Sequence, residues 1–469
     1  MGIADIADEV ARLVETAQEG AAALFEPTVR LGVTGLSRAG KTVFITSLVA
    51  NLLDRGRMPR LRAAAQGRIE AAQLRPQPDR AAPRFDFETH LGALLAPEPR
   101  WPESTRAVSQ LRLSLRLRPE GWLAGLAGPR VVHLDIVDYP GEWLLDLALL
   151  DLSYDDWSER ALAEARAPAR ALHAAPWLAR LGAVDPAGPW DEGPARALAE
   201  AFAAYLEACR RAGLSGLTPG RFLMPGDLAG SPALTFSPLP RAERRGGLRA
   251  EMAKRFEAYK RAVVRPFFRD HFARIDRQVV LVDVLSALGA GPQAVADLRA
   301  SMTAVLDAFR PGENSWLAPI IGRRVDRILF AAAKADHVHH TQHDRLAALT
   351  AELLRRSRER AAFKGARVEA MALASLRATV EQDVRRDGRV LHCVRGRLAA
   401  TGREAALHPG DLPEDPRRFL DALGAERWPE GDFRAMDFAP PRLRLAPGDG
   451  PPHLRLDAAA EFLLGDKLS

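Results

Sequence analysis

Long apolar runs are missing from this 469-residue chain. No stretch approaches the ~18 unbroken apolar residues that a membrane-crossing helix needs. The most apolar run, 279–288, is itself interrupted by Asp283, so no transmembrane segment is expected. Cysteine is nearly absent. Cys209 and Cys393 are the only two, too few for a disulfide framework, which points to a reducing compartment. Residues 1–25 are acidic and amphipathic and lack the basic start of a secretion signal. A cytoplasmic location is therefore expected. Lysine is also scarce, occurring at 41, 254, 260, 334, 364 and 467, and the net charge of +6 rests on dispersed arginine. Such a charge offers at most weak attraction to anionic membrane or nucleic acid, and solvated arginine-bearing faces account for it as well. Basic–aromatic interleaving and nucleic-acid-binding modules are absent, so no nucleic-acid partner is expected. Internal repeats and long low-complexity segments are absent too.

What is present begins at residues 35–42, Gly-Leu-Ser-Arg-Ala-Gly-Lys-Thr. This fits the phosphate-binding pattern G-x-x-x-x-G-K-[ST]. From Gly35 and Gly40 the backbone gains the freedom to curl. The N–H groups of Leu36, Ser37, Arg38, Ala39, Gly40, Lys41, Thr42 and Val43 then turn toward phosphate oxygens. Lys41 reaches the β- and γ-phosphates, and the Thr42 hydroxyl ligates Mg2+. A helix starting here adds its positive end. The context agrees: 28–34 reads as a short buried strand and 43–53 as a helix.

Elsewhere, residues 5–24 show helical spacing, and 55–105 are irregular with helical pieces expected at 61–72 and 86–95. Leu111, Leu113, Leu115 and Leu117 alternate with Arg112, Ser114 and Arg116, which predicts a strand with one wet face. Segments 131–137, 278–285 and 324–332 read as strands buried on both faces, and 366–374 as a weaker one. Helical spacing fills 144–152, 155–182, 193–213, 247–272, 293–308 and 341–361. The alternation predicts an α/β fold, a mainly parallel sheet with flanking helices and a large helical insertion. The expected division is an N-terminal helix (1–27), a core split into 28–143 and 276–385, a helical insertion domain (144–275) and a C-terminal extension (386–469) of unassigned fold.

Three further motifs carry chemistry. Leu134-Asp-Ile-Val-Asp-Tyr-Pro-Gly141 closes a buried strand. A carboxylate at that edge, beside the phosphate loop, can hold Mg2+ through water. Asp138 has the right spacing to Gly141, with Asp135 as a competitor. At Gly141 the backbone can approach a γ-phosphate so that its N–H senses it; a plain turn is the alternative. Ala333-Lys334-Ala335-Asp336 resembles the Asn/Thr-Lys-x-Asp base-recognition motif of GTPases. A carboxylate at Asp336 accepts from the N1–H and exocyclic amine of guanine, a donor pair adenine lacks, while the Lys334 stem lies along the base. Ala333 stands where Asn or Thr is usual, which removes a loop-bracing hydrogen bond and leaves strict guanine choice open. Ser375 and Leu376 follow the next strand, where a backbone N–H can meet the base carbonyl. Thr105, just before the second strand, is the candidate Mg2+-binding hydroxyl of a first switch, with Thr89 as runner-up; either also suits a cap or turn.

His337, His339, His340 and His343 cluster after Asp336. His339 and His343 are spaced to share a metal on a helix. No paired cysteine supports that, and helix-start packing is expected instead. Residues 223–230, Leu-Met-Pro-Gly-Asp-Leu-Ala-Gly, break the helical stretch either as a functional loop or as a connection.

The order of phosphate loop, switch threonine, Asp-x-x-Gly, Lys-x-Asp and serine resembles the Ras-like GTPase superfamily. More closely, the chain resembles the YcjX-type family of bacterial predicted P-loop NTPases, over 35–42, 101–113, 135–143, 220–239, 314–321 and 334–346. That resemblance implies a stress-linked cytoplasmic nucleotide-binding protein with a Ras-like and a helical domain. It implies GTP or GDP with Mg2+, and a membrane-associated protein partner that would place the chain peripherally at the inner membrane. On this reading Lys41 and Mg2+, held by Thr42, Thr105 and Asp138, neutralise charge as GTP is hydrolysed. Arg38 either adds to that charge or faces solvent. Glu142 stands where many GTPases carry a water-orienting Gln. A carboxylate beside a triphosphate needs a proton or a cation, so slow turnover is expected, with Glu142 either a base or a weak substitute for that Gln; capping the next helix is the alternative. Two other readings stay open, an ATPase with relaxed base choice and a nucleotide-stabilised scaffold with negligible hydrolysis.

Overall fold

The structure is a computed structural model that describes residues 26–35, 39–79, 82–103, 107–119, 129–214, 216–241, 247–270, 274–308, 325–363, 365–386, 388–422, 433–434 and 436–469. The helix expected over 5–24, the loop residues Leu36, Ser37 and Arg38, the switch candidate Thr105 and the stretch 314–321 lie outside the described residues.

Seven strands form the main sheet: β1 (Thr28–Gly35), β2 (Ile69–Arg75), β3 (Ser109–Leu117), β4 (Arg130–Asp138), β5 (Arg277–Val282), β6 (Arg327–Ala332) and β7 (Arg367–Ala372). Their order is β2-β3-β4-β1-β5-β6-β7. The β4–β1, β1–β5, β5–β6 and β6–β7 pairs are parallel, and β3 runs against both its neighbours. This is the mainly parallel α/β sheet the alternation predicts. Its central strands are apolar on both sides. Val279 and Leu281 pack into one layer and Val280 and Val282 into the other, none above 1% exposure.

Residues 61–72 depart from the helical expectation. Arg62–Ala65 is one helical turn, and Ile69–Arg75 is an edge strand paired with β3. Most β2 side chains are at least partly exposed, so pairing with the open edge of β3 decides its conformation rather than its own apolar pattern.

The helices that matter here are α1 (Lys41–Leu53), α2 (Glu142–Leu145), α3 (Tyr154–Ala165), α4 (Pro168–Gly182), α5 (Glu192–Arg211), α6 (Gly247–Tyr259), α7 (Val284–Ala290), α8 (Pro292–Ala308), α9 (His343–Leu353) and α10 (Leu456–Leu468). Helices α1 and α10 cover one face of the sheet. The opposite face packs against α2 to α9 in a continuous apolar core. Between β4 and β5 the helices gather around aromatic rings, with Trp157 stacked on Phe256 (4.9 Å) and Trp177 on Tyr205 (5.3 Å). No helix among the described residues is long and apolar enough to cross a membrane.

Past β7 the chain forms a second, antiparallel sheet of β8 (Thr379–Arg386), β9 (Arg389–Arg397) and β10 (Glu404–Leu407), in the order β10-β9-β8. It then returns to the main sheet as α10. The buried Arg277 fixes that return. Its guanidinium donates to Leu463 O (3.1 Å), Asp466 Oδ2 (2.8 Å) and Asp326 Oδ2 (2.6 Å).

Candidate functional site

The C-terminal ends of β1, β4, β5 and β6 share one edge of the sheet. β1 enters the glycine loop at Gly35, and α1 leaves it at Lys41. Gly40 sits at φ +85°, although nothing lies within 4 Å of where a Cβ would stand. Backbone conformation, not space, demands glycine there. Lys41 and Thr42 are both buried. Lys41 Nζ donates to Gly35 O (2.9 Å), and the Thr42 hydroxyl donates to Glu103 O (3.3 Å). The segment before β3, where the first switch is expected, therefore reaches the phosphate loop.

Asp138 is 1% exposed at the end of β4, in register with Val33. Its competitor Asp135 lies mid-strand and takes Arg112 with both oxygens, at 2.6 and 2.8 Å, across the β3–β4 register. That pairing raises the Arg112 pKa against the effect of burial. Of the two carboxylates, Asp138 is thus the one at the site edge. Thr89, the runner-up hydroxyl, is exposed in the first turn of Phe87–Leu95, where its N–H is capped by Asp86 Oδ1 (3.3 Å). Hydroxyl and carboxylate oxygens are the donors Mg2+ takes, and the buried Thr42 and Asp138 fit that ion.

Gly141 leads into α2, whose first residue, Glu142, is 5% exposed. A loop from the helical region clamps this turn. Gly220 and Arg221 donate backbone N–H bonds to Asp146 (2.6 and 3.3 Å), and the Tyr259 hydroxyl donates to the same carboxylate (2.6 Å). Trp143 Nε1 donates to Met224 O (2.9 Å), and the Arg221 guanidinium lies 3.2 Å over the Trp143 ring centroid. A Cβ on Gly220 would stand 2.2 Å from Glu142 O, so only glycine permits this approach. The start of the 223–230 segment is thereby part of a brace for the Asp-x-x-Gly turn. Burial pushes the Asp146 carboxyl up to about 6, against the opposing bonds from Tyr259, Gly220 and Arg221.

On the base side, Lys334 adopts φ 59° and its ammonium pairs with Asp283 Oδ2 at 2.6 Å. Asp283 also caps α7 by accepting from Ser286 N (3.0 Å). Asp336 is 4% exposed. Its Oδ2 accepts from Ala378 N (2.7 Å), and the Thr379 hydroxyl donates to its backbone carbonyl. The turn holding Ser375 and Leu376 is fixed by the Ala374–Leu454 bridge and by Arg377 N donating to Pro452 O (2.8 Å). His343 Nε2–H donates to Ala335 O (2.8 Å), while Arg455 donates to its Nδ1 (3.1 Å). Burial, then Arg455, lowers the His343 pKa and keeps this neutral form. His343 therefore braces the base-side loop and does not pair with His339 on a helix.

A cavity of ≈ 1090 Å³ opens along this edge. Ala39, Glu103, Glu142, Asp283, Lys334 and Asp437 line its sheet side, and Arg210, Arg211 and Met224 its helical side. Asp336 is not on its wall. Asp283, Arg210 and Asp437 escape sequence reasoning. Asp283 did carry a signal, a carboxylate directly after the apolar run 279–282, much as Asp138 follows Ile136 and Val137. Arg210 carried none, being one arginine among many on an amphipathic helix. The ion pair with Glu207 raises the Arg210 pKa against burial, and the Glu142 charge adds to it.

A family model described as "YcjX-like family, DUF463" matches residues 29–468. Two curated relatives carry the name Ras-like GTPase YcjX. The Escherichia coli protein is 37% identical over 455 residues, covering 94% of this chain and 96% of its own length. The Shewanella oneidensis protein is 35% identical over 466 residues, covering 94% of each.

Proposed function

This chain belongs to the YcjX-like family, and from that premise we propose that it binds guanine nucleotide at the sheet edge and hydrolyses GTP slowly with Mg2+. One observation carries the reading. A glycine loop ending in Lys41–Thr42, a strand-end carboxylate at Asp138 and the Lys334–Asp336 turn stand on one edge of one sheet. Loop N–H groups and Lys41 bind the phosphates. Thr42 and Asp138, with Thr105, would hold Mg2+, which supplies charge neutralisation at those phosphates. Asp336, oriented by Ala378 N–H, reads the base. Asp283 grips Lys334 and offers a brace in place of the one a side chain at Ala333 lacks. Glu142 orients the attacking water, and Arg210 in the same cavity supplies the cation that a carboxylate beside a triphosphate requires. The stress-linked role and the membrane-associated partner are readings taken from the family resemblance.

The test is titration of nucleotide-free protein with fluorescent GDP and ADP, with Asp336→Ala alongside. Two hydrogen bonds to a carboxylate are worth ~1.5–3 kcal/mol each, so the variant should lose at least about a hundredfold in GDP affinity. Equal GDP and ADP binding, indifferent to the substitution, replaces this reading with the relaxed-base ATPase. Tight GDP binding without single-turnover hydrolysis replaces it with the scaffold.

A further inference from the structure

Three imidazoles and two carboxylates meet where the loop after β6 touches the second sheet. His339 and His340 come from that loop, Glu381 and Asp383 from β8, and His392 from β9 in register with Asp383. His340 Nδ1 lies 2.7 Å from Glu381 Oε2, and His392 Nδ1 lies 2.8 Å from Asp383 Oδ1. His339 Nε2 stands between these pairs, 3.7 Å from Glu381 Oε2 and 3.8 Å from Asp383 Oδ1. Those two separations are too long for hydrogen bonds. They are near the ~3.4 Å that separates ligand atoms around a tetrahedral ion with bonds of ~2.1 Å.

The His339 ring is held from behind. It is 5% exposed, stacked on His392 (centroids 4.6 Å apart, 20° between planes) and tilted against His340 (4.3 Å). Its Nδ1 lies 3.0 Å from the Thr341 hydroxyl, whereas the Thr341 N–H is 3.5 Å away. Nδ1 accepts that backbone N–H, which caps the turn, and the hydroxyl approaches the same nitrogen. These contacts fix the ring's orientation and leave Nε2 turned toward the two carboxylates. Without a metal, neutral His340 and His392 each donate Nδ1–H to the facing carboxylate. A metal ion uses the same rings in their neutral form.

We propose that His339, with His392 and Asp383 on one side and His340 and Glu381 on the other, binds one transition-metal ion of the zinc class. Mixed imidazole and carboxylate donors suit Zn2+ and its neighbours, whereas Mg2+ and Ca2+ take oxygen alone. His339 belongs to both candidate triads, one completed by Asp383 and His392 and the other by His340 and Glu381, so an ion in either uses His339 and excludes a second. Occupancy fastens the loop that follows Asp336 to the second sheet. Glu381 already begins that fastening by accepting the His340 backbone N–H (3.0 Å). The inference goes beyond the nucleotide reading and does not rest on it.

The full chain, treated with chelator and free of nucleotide, is titrated with Co2+ in excess Mg2+ at about pH 7.5, where imidazoles are largely neutral. One equivalent of Co2+ should develop the visible d–d absorption of a four- or five-coordinate ion, and Zn2+ should abolish it and raise the thermal midpoint. His340→Gln and His392→Gln alter side chains that are 64% and 44% exposed, so both variants should fold with the metal-free midpoint unchanged. Each should weaken Co2+ binding by about tenfold or more, and together they should remove it. The spectrum of the aqueous ion at one equivalent overturns the site, as does Co2+ binding that the double variant leaves unchanged.

Discussion

Replacing Asp146 by asparagine should stabilise the protein at neutral pH but not at pH 4. Asp146 holds the clamp on the Asp-x-x-Gly turn, and its carboxyl is pushed by burial from the ordinary 3.8 up to about 6. A carboxyl whose folded value lies above its unfolded value favours the fold fully below pH 3.8, and that contribution is lost as pH rises through about 6. The interval, 6 − 3.8 = 2.2 pH units at about 1.36 kcal/mol each, comes to about 3 kcal/mol. Asparagine keeps an oxygen for Gly220 N–H, and its amide N–H can donate to the Tyr259 oxygen. It gives up the weaker contact with Arg221 N–H, worth about 1 kcal/mol. The variant should then be about 2 kcal/mol more stable at pH 7.5 and about 1 kcal/mol less stable at pH 4. For a chain of this size each kcal/mol moves the thermal midpoint by about 1 °C. The assay is the difference in midpoint between the two proteins from pH 4 to pH 8. Taking the difference cancels carboxylates of opposite slope such as Glu88 and Glu192, whose values are lowered by Arg84 and Arg255. The difference should swing by about 3 °C; a flat line would refute the desolvated carboxylate.

Three further outcomes follow from the same geometry. Glu142→Ala should cut GTP turnover at least about tenfold while leaving GDP affinity unchanged, as read by phosphate release and GDP titration; unchanged turnover rejects its role as base. Gly220→Ala forces a Cβ to within 2.2 Å of Glu142 O, which should cost about 1–3 kcal/mol in urea unfolding and slow turnover with it. Arg277→Met removes a cation shared by Asp326 and Asp466, and the urea midpoint should fall by the equivalent of about 3 kcal/mol; an unmoved midpoint would mean that the pairs only offset their own desolvation.

The parallel core was legible because its strands are apolar on both faces and end in chemistry. Segment 131–137 ends at Asp138, and 28–34 ends at the glycine loop. β3 was legible from four alternating leucines. β2 was not, since its side chains are largely exposed and its partner, not its pattern, makes it a strand. Within the site, the ordered motifs were visible because each lies on one contiguous stretch. The clamp from Gly220 to Asp146 spans 74 positions, and the Lys334–Asp283 pair joins two strand ends. Contacts of that range leave no local periodicity. The histidines show the same limit. Spacing paired His339 with His343, whereas folding brings His339 to His392 from another sheet.

The closing helix α10 has a consequence in time. β1 ends at residue 35 and the helix that helps cover the same face begins at residue 456, a gap of 456 − 35 = 421 residues. At about 5–20 residues per second, the ribosome needs roughly 20–80 s to span it. For that interval Leu31, Val279 and Leu329 lack the cover supplied by Ala459, Leu463 and Leu464. Arg277 likewise waits for Leu463 and Asp466. The sheet that carries the phosphate loop at one edge is therefore completed among the last events of synthesis, and the nascent chain must be kept from aggregating until then.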